Sequence, residues 1–130
     1  MKRLMIASIL LVLVSGTVAV AQDSPLAWAV RFESEYRIVP NITYLTASNY
    51  DAKLDLYVTR TPDKPLPTLI WIHGGGWTQG DKAQGPIDRI LADGFAAASI
   101  NYRFSTEATF PAQIHDCKAA VRFLRANSKE

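Results

Sequence analysis

The sequence predicts an α/β fold in which an antiparallel hairpin leads into parallel strands flanked by helices. Three patterns carry that expectation. Leu54, Leu56 and Val58 alternate with Asp55, Tyr57 and Thr59, the period of two of a half-buried strand. Residues 68–72 are apolar on both faces, as a strand interior to a parallel sheet must be. The spacing then turns helical at Ile87, Ile90 and Leu91, and again at Ile114, Cys117, Val121 and Leu124.

Each element follows from its residues. Residues 22–35 are mixed and polar and read as a poorly ordered lead-in. Residues 36–47 carry Ile38, Val39, Ile42, Tyr44 and Leu45 around Pro40, which reads as a kinked outer strand, because proline is accommodated at sheet edges. Ser48-Asn49-Tyr50-Asp51 is a turn cluster, so the strand at 54–59 pairs back as a hairpin. Pro62, Pro65 and Pro67 end it. After the strand at 68–72, residues 80–86 are loop, and the helix at 87–91 stops at Asp93-Gly94. Residues 95–100 form a second buried strand whose alanines leave room for a close helix. A polar loop covers 101–110. Pro111 then opens the last helix at its first position, with Lys118, Arg122 and Arg125 toward water. The order β-β-β-α-β-α makes an open α/β sheet.

The first 21 residues stand outside this pattern. Lys2 and Arg3 precede an apolar run from Leu4 to Val14, and Ala19-Val20-Ala21 supplies a small-x-small cleavage site. The run is shorter than the roughly 20 residues that span a bilayer, so a cleaved signal peptide is expected, with export to the periplasm or medium and no stable membrane insertion afterwards. Cleavage removes Lys2 and Arg3, and the formal charge falls from +2 to zero. No basic face argues for nucleic acid. Cys117 is the single cysteine, which excludes an internal disulfide, and its spacing places it in helix packing. Asn41-Ile42-Thr43 fits a glycosylation sequon, a weakly specific pattern behind a bacterial-looking leader.

The chemistry-bearing segment is His73-Gly74-Gly75-Gly76-Trp77, directly after the strand Leu69-Ile70-Trp71-Ile72. Consecutive glycines weaken regular structure, and what they offer in return is positive φ and close approach of a substrate oxygen to backbone amides. A histidine-triglycine loop after the third strand is an oxyanion-hole signature of lipases and esterases. No Gly-x-Ser-x-Gly occurs in the 130 residues.

Four ordered motifs together resemble one family. They are Leu54-Asp55-Leu56-Tyr57; His73 to Trp77 with Gly80-Asp81-Lys82; Asn101-Tyr102-Arg103; and Phe110-Pro111-Ala112-Gln113 through Asp116 and Ala119-Ala120-Val121-Arg122. The set is similar to the α/β-hydrolase esterases of the hormone-sensitive-lipase and bacterial feruloyl or acetyl esterase type. The resemblance implies that residues 36–130 are the N-terminal part of an α/β-hydrolase domain, ending before the nucleophile. It implies a serine on a sharp turn after a fifth strand, then an acid, then a histidine. Neither His73, which opens the oxyanion motif, nor His115, on the polar side of a helix, fits that order. Ser99 lacks flanking glycines.

By the same resemblance, the amides of Gly75 and Gly76 donate to the oxyanion, Gly74 shapes the turn, and His73 orients the loop. Trp77 either lines the acyl pocket or packs the loop against the domain. Asp81 either holds the loop through local hydrogen bonds or is an exposed turn residue. Arg103 and Asp116 are expected to form a bidentate pair that ties down the 101–110 loop. The implied activity is hydrolysis of a small or polysaccharide-linked carboxylic ester, with no metal and no cofactor. An amide or peptide hydrolase of the same fold and a non-catalytic product are the alternatives.

Overall fold

The computed structural model describes residues 24–128, so the leader lies outside the described residues. Four strands form one sheet in the order β1-β2-β4-β3. Strands β1 (Tyr36–Ala47) and β2 (Tyr50–Thr59) make the antiparallel hairpin. Strand β3 (Thr68–Ile72) runs parallel to β4 (Ala96–Ile100), and β4 pairs antiparallel with β2. The hairpin register slips between Val39 and Ile42, around Pro40, where Asn41 takes a φ of 59°. A proline cannot donate to the ladder, and the irregularity falls where it interrupts.

Helices cover both faces. On one side α3 (Ala112–Ala126) packs over Tyr44, Ala52, Leu54 and Ile100 through Ala120, with Cys117, Phe123 and Leu124 partly buried around it. On the other, α2 (Ile87–Ala92) sets Ile87, Ile90 and Leu91 against Ala97. The alanines of β4 permit that close approach, and the whole strand is buried. Gly94 follows α2 at a φ of 84°, and its amide donates to the Leu91 carbonyl, the left-handed cap for which glycine is suited.

Four expectations change. Residues 25–35, expected as a poorly ordered lead-in, form helix α1 (Pro25–Glu35), started by the Ser24 hydroxyl accepting from the Ala27 amide. Its Phe32 packs with Tyr36 and Tyr57 on the α2 side of the sheet. The 80–86 loop contains a 3-10 turn at Lys82–Gln84. Pro111 stands at the cap of α3, and the first helical residue is Ala112. Helix α3 is also rotated from its apolar stripe: Gln113, Asp116 and Ala120 face inward while Ile114 is exposed. Asp116 turns in because Arg103 waits for it, and Gln113 because its Nε2 donates to the Ala108 carbonyl. Strand β3 pairs on one edge only among the described residues, leaving open the side where a fifth strand is expected, with Leu69 37% and Ile72 48% exposed.

Candidate functional site

The loop that leaves the C-terminal end of β3 is shaped by backbone conformations that side chains resist. Gly75 has a φ of 119° and Gly76 of 61°. A Cβ on Gly75 would lie 1.9 Å from the Gln79 carbonyl oxygen, so any larger residue there forces the loop open. Gly76 has open space and its constraint is conformational alone. Gly74 has neither positive φ nor a close neighbour. The Gly75 carbonyl accepts from the Thr78 and Gln79 amides and from the Thr78 hydroxyl, which closes a tight turn. The amides of Gly75 and Gly76 have no acceptor among the described residues. Two adjacent donors are thus held in place without a partner.

His73 is buried under this turn. Its Nδ1 lies 2.8 Å from the Gly74 carbonyl oxygen. A carbonyl can only accept, so this nitrogen carries the proton. Its Nε2 is buried with no partner among the described residues. The ring stacks on Tyr102 with centroids 4.6 Å apart and meets Phe104 edge-on. Tyr102 in turn donates its hydroxyl to the His73 carbonyl at 3.1 Å. Gly80, at a φ of 118°, passes so close that a Cβ would meet His73 Nδ1 at 2.2 Å. The histidine is a platform for the loop.

Trp77 is exposed, at a φ of 62°, and its carbonyl accepts from the Ser105 amide at 2.8 Å. It stands over an apolar cleft of about 320 Å³ shared with Gly76, Ser105, Phe110, Gln113 and Ile114. Asp81 caps the 3-10 turn: its carboxylate accepts from the Ala83 amide at 2.8 Å and from Asn101 Nδ2 at 3.0 Å. The Ala83 and then the Asn101 hydrogen bond hold that carboxyl below its ordinary value, because both favour the charged form.

Arg103 and Asp116 meet beneath the 101–110 loop. Asp116 is fully buried and accepts from Arg103 Nε at 2.9 Å, from Nη2 at 2.7 Å and from the Arg103 amide at 3.0 Å. The hydrogen bond to Asp116 raises the Arg103 guanidinium above its usual range. His115 is exposed on α3. Ser99 is buried, and its hydroxyl donates to the Lys82 carbonyl, so it is engaged in structure.

Two residues that the sequence offers only as members of motifs, Asp55 and Lys82, meet in the structure. Asp55 is buried with its carboxylate on Lys82 Nζ at 2.7 Å and on the Asn41 amide at 2.7 Å. Strand alternation gives Asp55 a solvent-side place, yet both faces of β2 are covered here. Among the described residues, no group of His, Cys, Asp and Glu could hold a metal ion, and no helix is long and apolar enough to cross a membrane.

Comparison with known proteins follows this geometry. Residues 54–130, from the second strand through α3, match the BD-FAE family. The chain belongs to the BD-FAE family. Its sequence is 41% identical over 69 residues to Esterase LipC of Mycobacterium tuberculosis, covering 51% of this chain and 17% of LipC. It is 33% identical over 113 residues to arylacetamide deacetylase of Oryctolagus cuniculus, covering 78% of this chain and 28% of that enzyme. Among solved structures, a truncated carbohydrate esterase from gut microbiota superposes with a TM-score of 0.62 at 33% identity, over 74% of this chain and 35% of that one. A bacterial heroin esterase superposes with a TM-score of 0.59 at 27% identity, over 75% of this chain and 32% of that one. The BD-FAE chain therefore carries part of the α/β-hydrolase fold found in these esterases, and it spans under a third of the curated relatives it matches.

Proposed function

We propose that this chain supplies the oxyanion-binding part of an exported serine hydrolase of carboxylic esters. The observation that carries the reading is the pair of unpartnered amides at Gly75 and Gly76, on a turn whose shape requires glycine at Gly75. When a nucleophile adds to an ester, the carbonyl oxygen takes up negative charge. Donors already aimed at that position stabilise the transition state without reorganising. The two glycine amides are such donors, and a third is expected behind the nucleophilic serine. His73 holds the turn, its Nδ1 committed to the Gly74 carbonyl. The leader at residues 1–21 supports export.

The cleft beside Gly76 supports an aromatic acyl group of feruloyl type over acetyl. Its volume of about 320 Å³ lies within the range of small-molecule pockets, and the aromatic residues Trp77 and Phe110 line it. An acetyl group leaves most of that space to water. The alcohol side is then a sugar or a polysaccharide.

The test is Gly75→Ala in the protein expressed from its complete gene. The substitution should lower kcat by roughly 10²–10³-fold with little change in KM, as loss of an oxyanion donor does. A kcat within a few-fold of the unaltered protein contradicts the reading. A polypeptide of these 130 residues alone should hydrolyse no nitrophenyl ester, because no nucleophile elbow stands in the sequence. Saturable turnover abolished by a serine-directed phosphonate contradicts that.

A further inference from the structure

The sheet carries a polar row where an apolar one would pack. Asp55 on β2 is in register with Ser99 on β4, and Ser99 with Trp71 on β3. All three sit on the face that α2 and the 3-10 turn cover, next to Ala97 and its apolar neighbours. Burying a charged pair in such a place costs desolvation, and a hydrophobic pair of equal volume often serves stability as well. The row therefore calls for another reason.

Lys82 gives it. Every polar group of this residue is bound to β2, to β4 or to Asn101 just after β4. Its Nζ donates to Asp55 Oδ2 at 2.7 Å, with only 13% of the lysine side chain and 9% of the aspartate exposed. Its amide donates to Asn101 Oδ1 at 2.6 Å, and its carbonyl accepts from the Ser99 hydroxyl. The partners are themselves fixed: Asp55 by the Asn41 amide, and Asn101 by the Tyr44 hydroxyl on its carbonyl at 2.6 Å. Two residues earlier, Gly80 lies against the His73 ring, and three residues earlier the Gln79 carbonyl fills the space beside Gly75. A rearward shift of Lys82 is passed along this short segment to the Gly75 turn.

We propose that Lys82 is a positioning residue for the Gly75–Gly76 donors, latched to the sheet by Asp55, Ser99 and Asn101. Its consequence for catalysis rests on the oxyanion reading of the preceding section; the latch itself does not. Lys82→Met keeps the stem and removes the charge. In the protein expressed from its complete gene, Lys82→Met should lower kcat roughly tenfold to a hundredfold, with KM within about twofold, since small misplacements of catalytic groups cost that much. Lys82→Arg should recover most of the loss. Asp55→Asn should reproduce it, and Asp55→Asn combined with Lys82→Met should be no worse than either, because both cut one link. Hydrogen exchange should quicken at least tenfold for the Thr78 and Gln79 amides, which close the turn onto the Gly75 carbonyl, and stay unaltered in β2 and β4.

Unaltered exchange at the Thr78 and Gln79 amides in a folded Lys82→Met protein overturns the latch. A normal kcat in Lys82→Met beside a defective Gly75→Ala overturns the positioning role and leaves the oxyanion reading standing. A normal kcat in both removes the oxyanion reading, and with it the catalytic role given to Lys82. If Lys82→Met does not fold, Asp55→Asn, which keeps the shape and the acceptor for Asn41, carries the same measurements.

Discussion

Two stretches of one loop, residues 74–77 and 80–84, treat their backbone groups in opposite ways. At 80–84 side chains bind the backbone down: Asp81 caps the turn, Gln84 Oε1 accepts from the Asp81 amide, and Lys82 is tied to β2 and β4. At 74–77 the Gly74, Gly75 and Trp77 carbonyls are engaged while the Gly75 and Gly76 amides are left without acceptors among the described residues. A buried amide without a partner costs free energy, so a protein keeps one at the surface of a cleft or for a ligand. The contrast teaches that the open donors depend on the closed segment behind them. Side chains build the anchor and glycine conformation builds the opening.

The comparison breaks most severely at the support both stretches share. Asp116→Ala leaves the buried Arg103 guanidinium unpaired and strips the Arg103 amide of its acceptor, which frees the 101–110 loop that holds Trp77 through Ser105. Loss of one partner of a buried pair costs about 3–5 kcal/mol. Chemical denaturation should show a drop of that size, and a change under 1 kcal/mol would show that the pair is replaceable.

The next effect separates the two glycines. Alanine at Gly75 collides with the Gln79 carbonyl, whereas alanine at Gly76 meets nothing and bears only its left-handed conformation, about 1–2 kcal/mol. Steady-state kinetics should therefore find Gly76→Ala much the milder of the two. Equal defects would mean that the collision does not decide the turn's shape.

A smaller effect sharpens the anchored side. The Asp81 carboxyl is depressed in the folded state below its ordinary 3.8, first by the Ala83 amide and then by Asn101. A depressed folded value gives stability that is complete above about pH 3.8 and is lost as pH falls through the lower folded value. The melting temperature of Asp81→Ala should trail the unaltered protein at neutral pH and converge with it in stronger acid. A gap that persists there would assign Asp81 a role independent of its charge.

The smallest effect lies away from the loop. Burial, and then Asp116 beside it, pushes the Cys117 thiol up. Alkylation at neutral pH should be slower than that of a free thiol, and faster labelling would show α3 opening from the sheet.

Much of this architecture is legible in the residues, and the exceptions have physical causes. The alternation in β2, the alanines of β4 and the glycines of the loop each name their conformations directly. Helix α1 escapes because its apolar residues form no single stripe: Leu26 and Val30 are exposed, and Phe32 reaches the core. The buried face of α3 escapes because tertiary pairing turns Gln113 and Asp116 inward against their polarity. The Asp55–Lys82 link escapes because 27 residues separate its members, and only the sheet order brings them together. Of the site, the turn is legible and its anchor is not.

The most direct measurement of the central claim is the structure of the protein, expressed from its complete gene, after reaction with a phosphonate ester that mimics the tetrahedral intermediate. The phosphonyl oxygen should lie about 2.7–3.1 Å from both the Gly75 and Gly76 amide nitrogens, with Lys82 still on Asp55. A phosphonyl oxygen bound elsewhere, with either glycine amide turned away from it, would contradict the account.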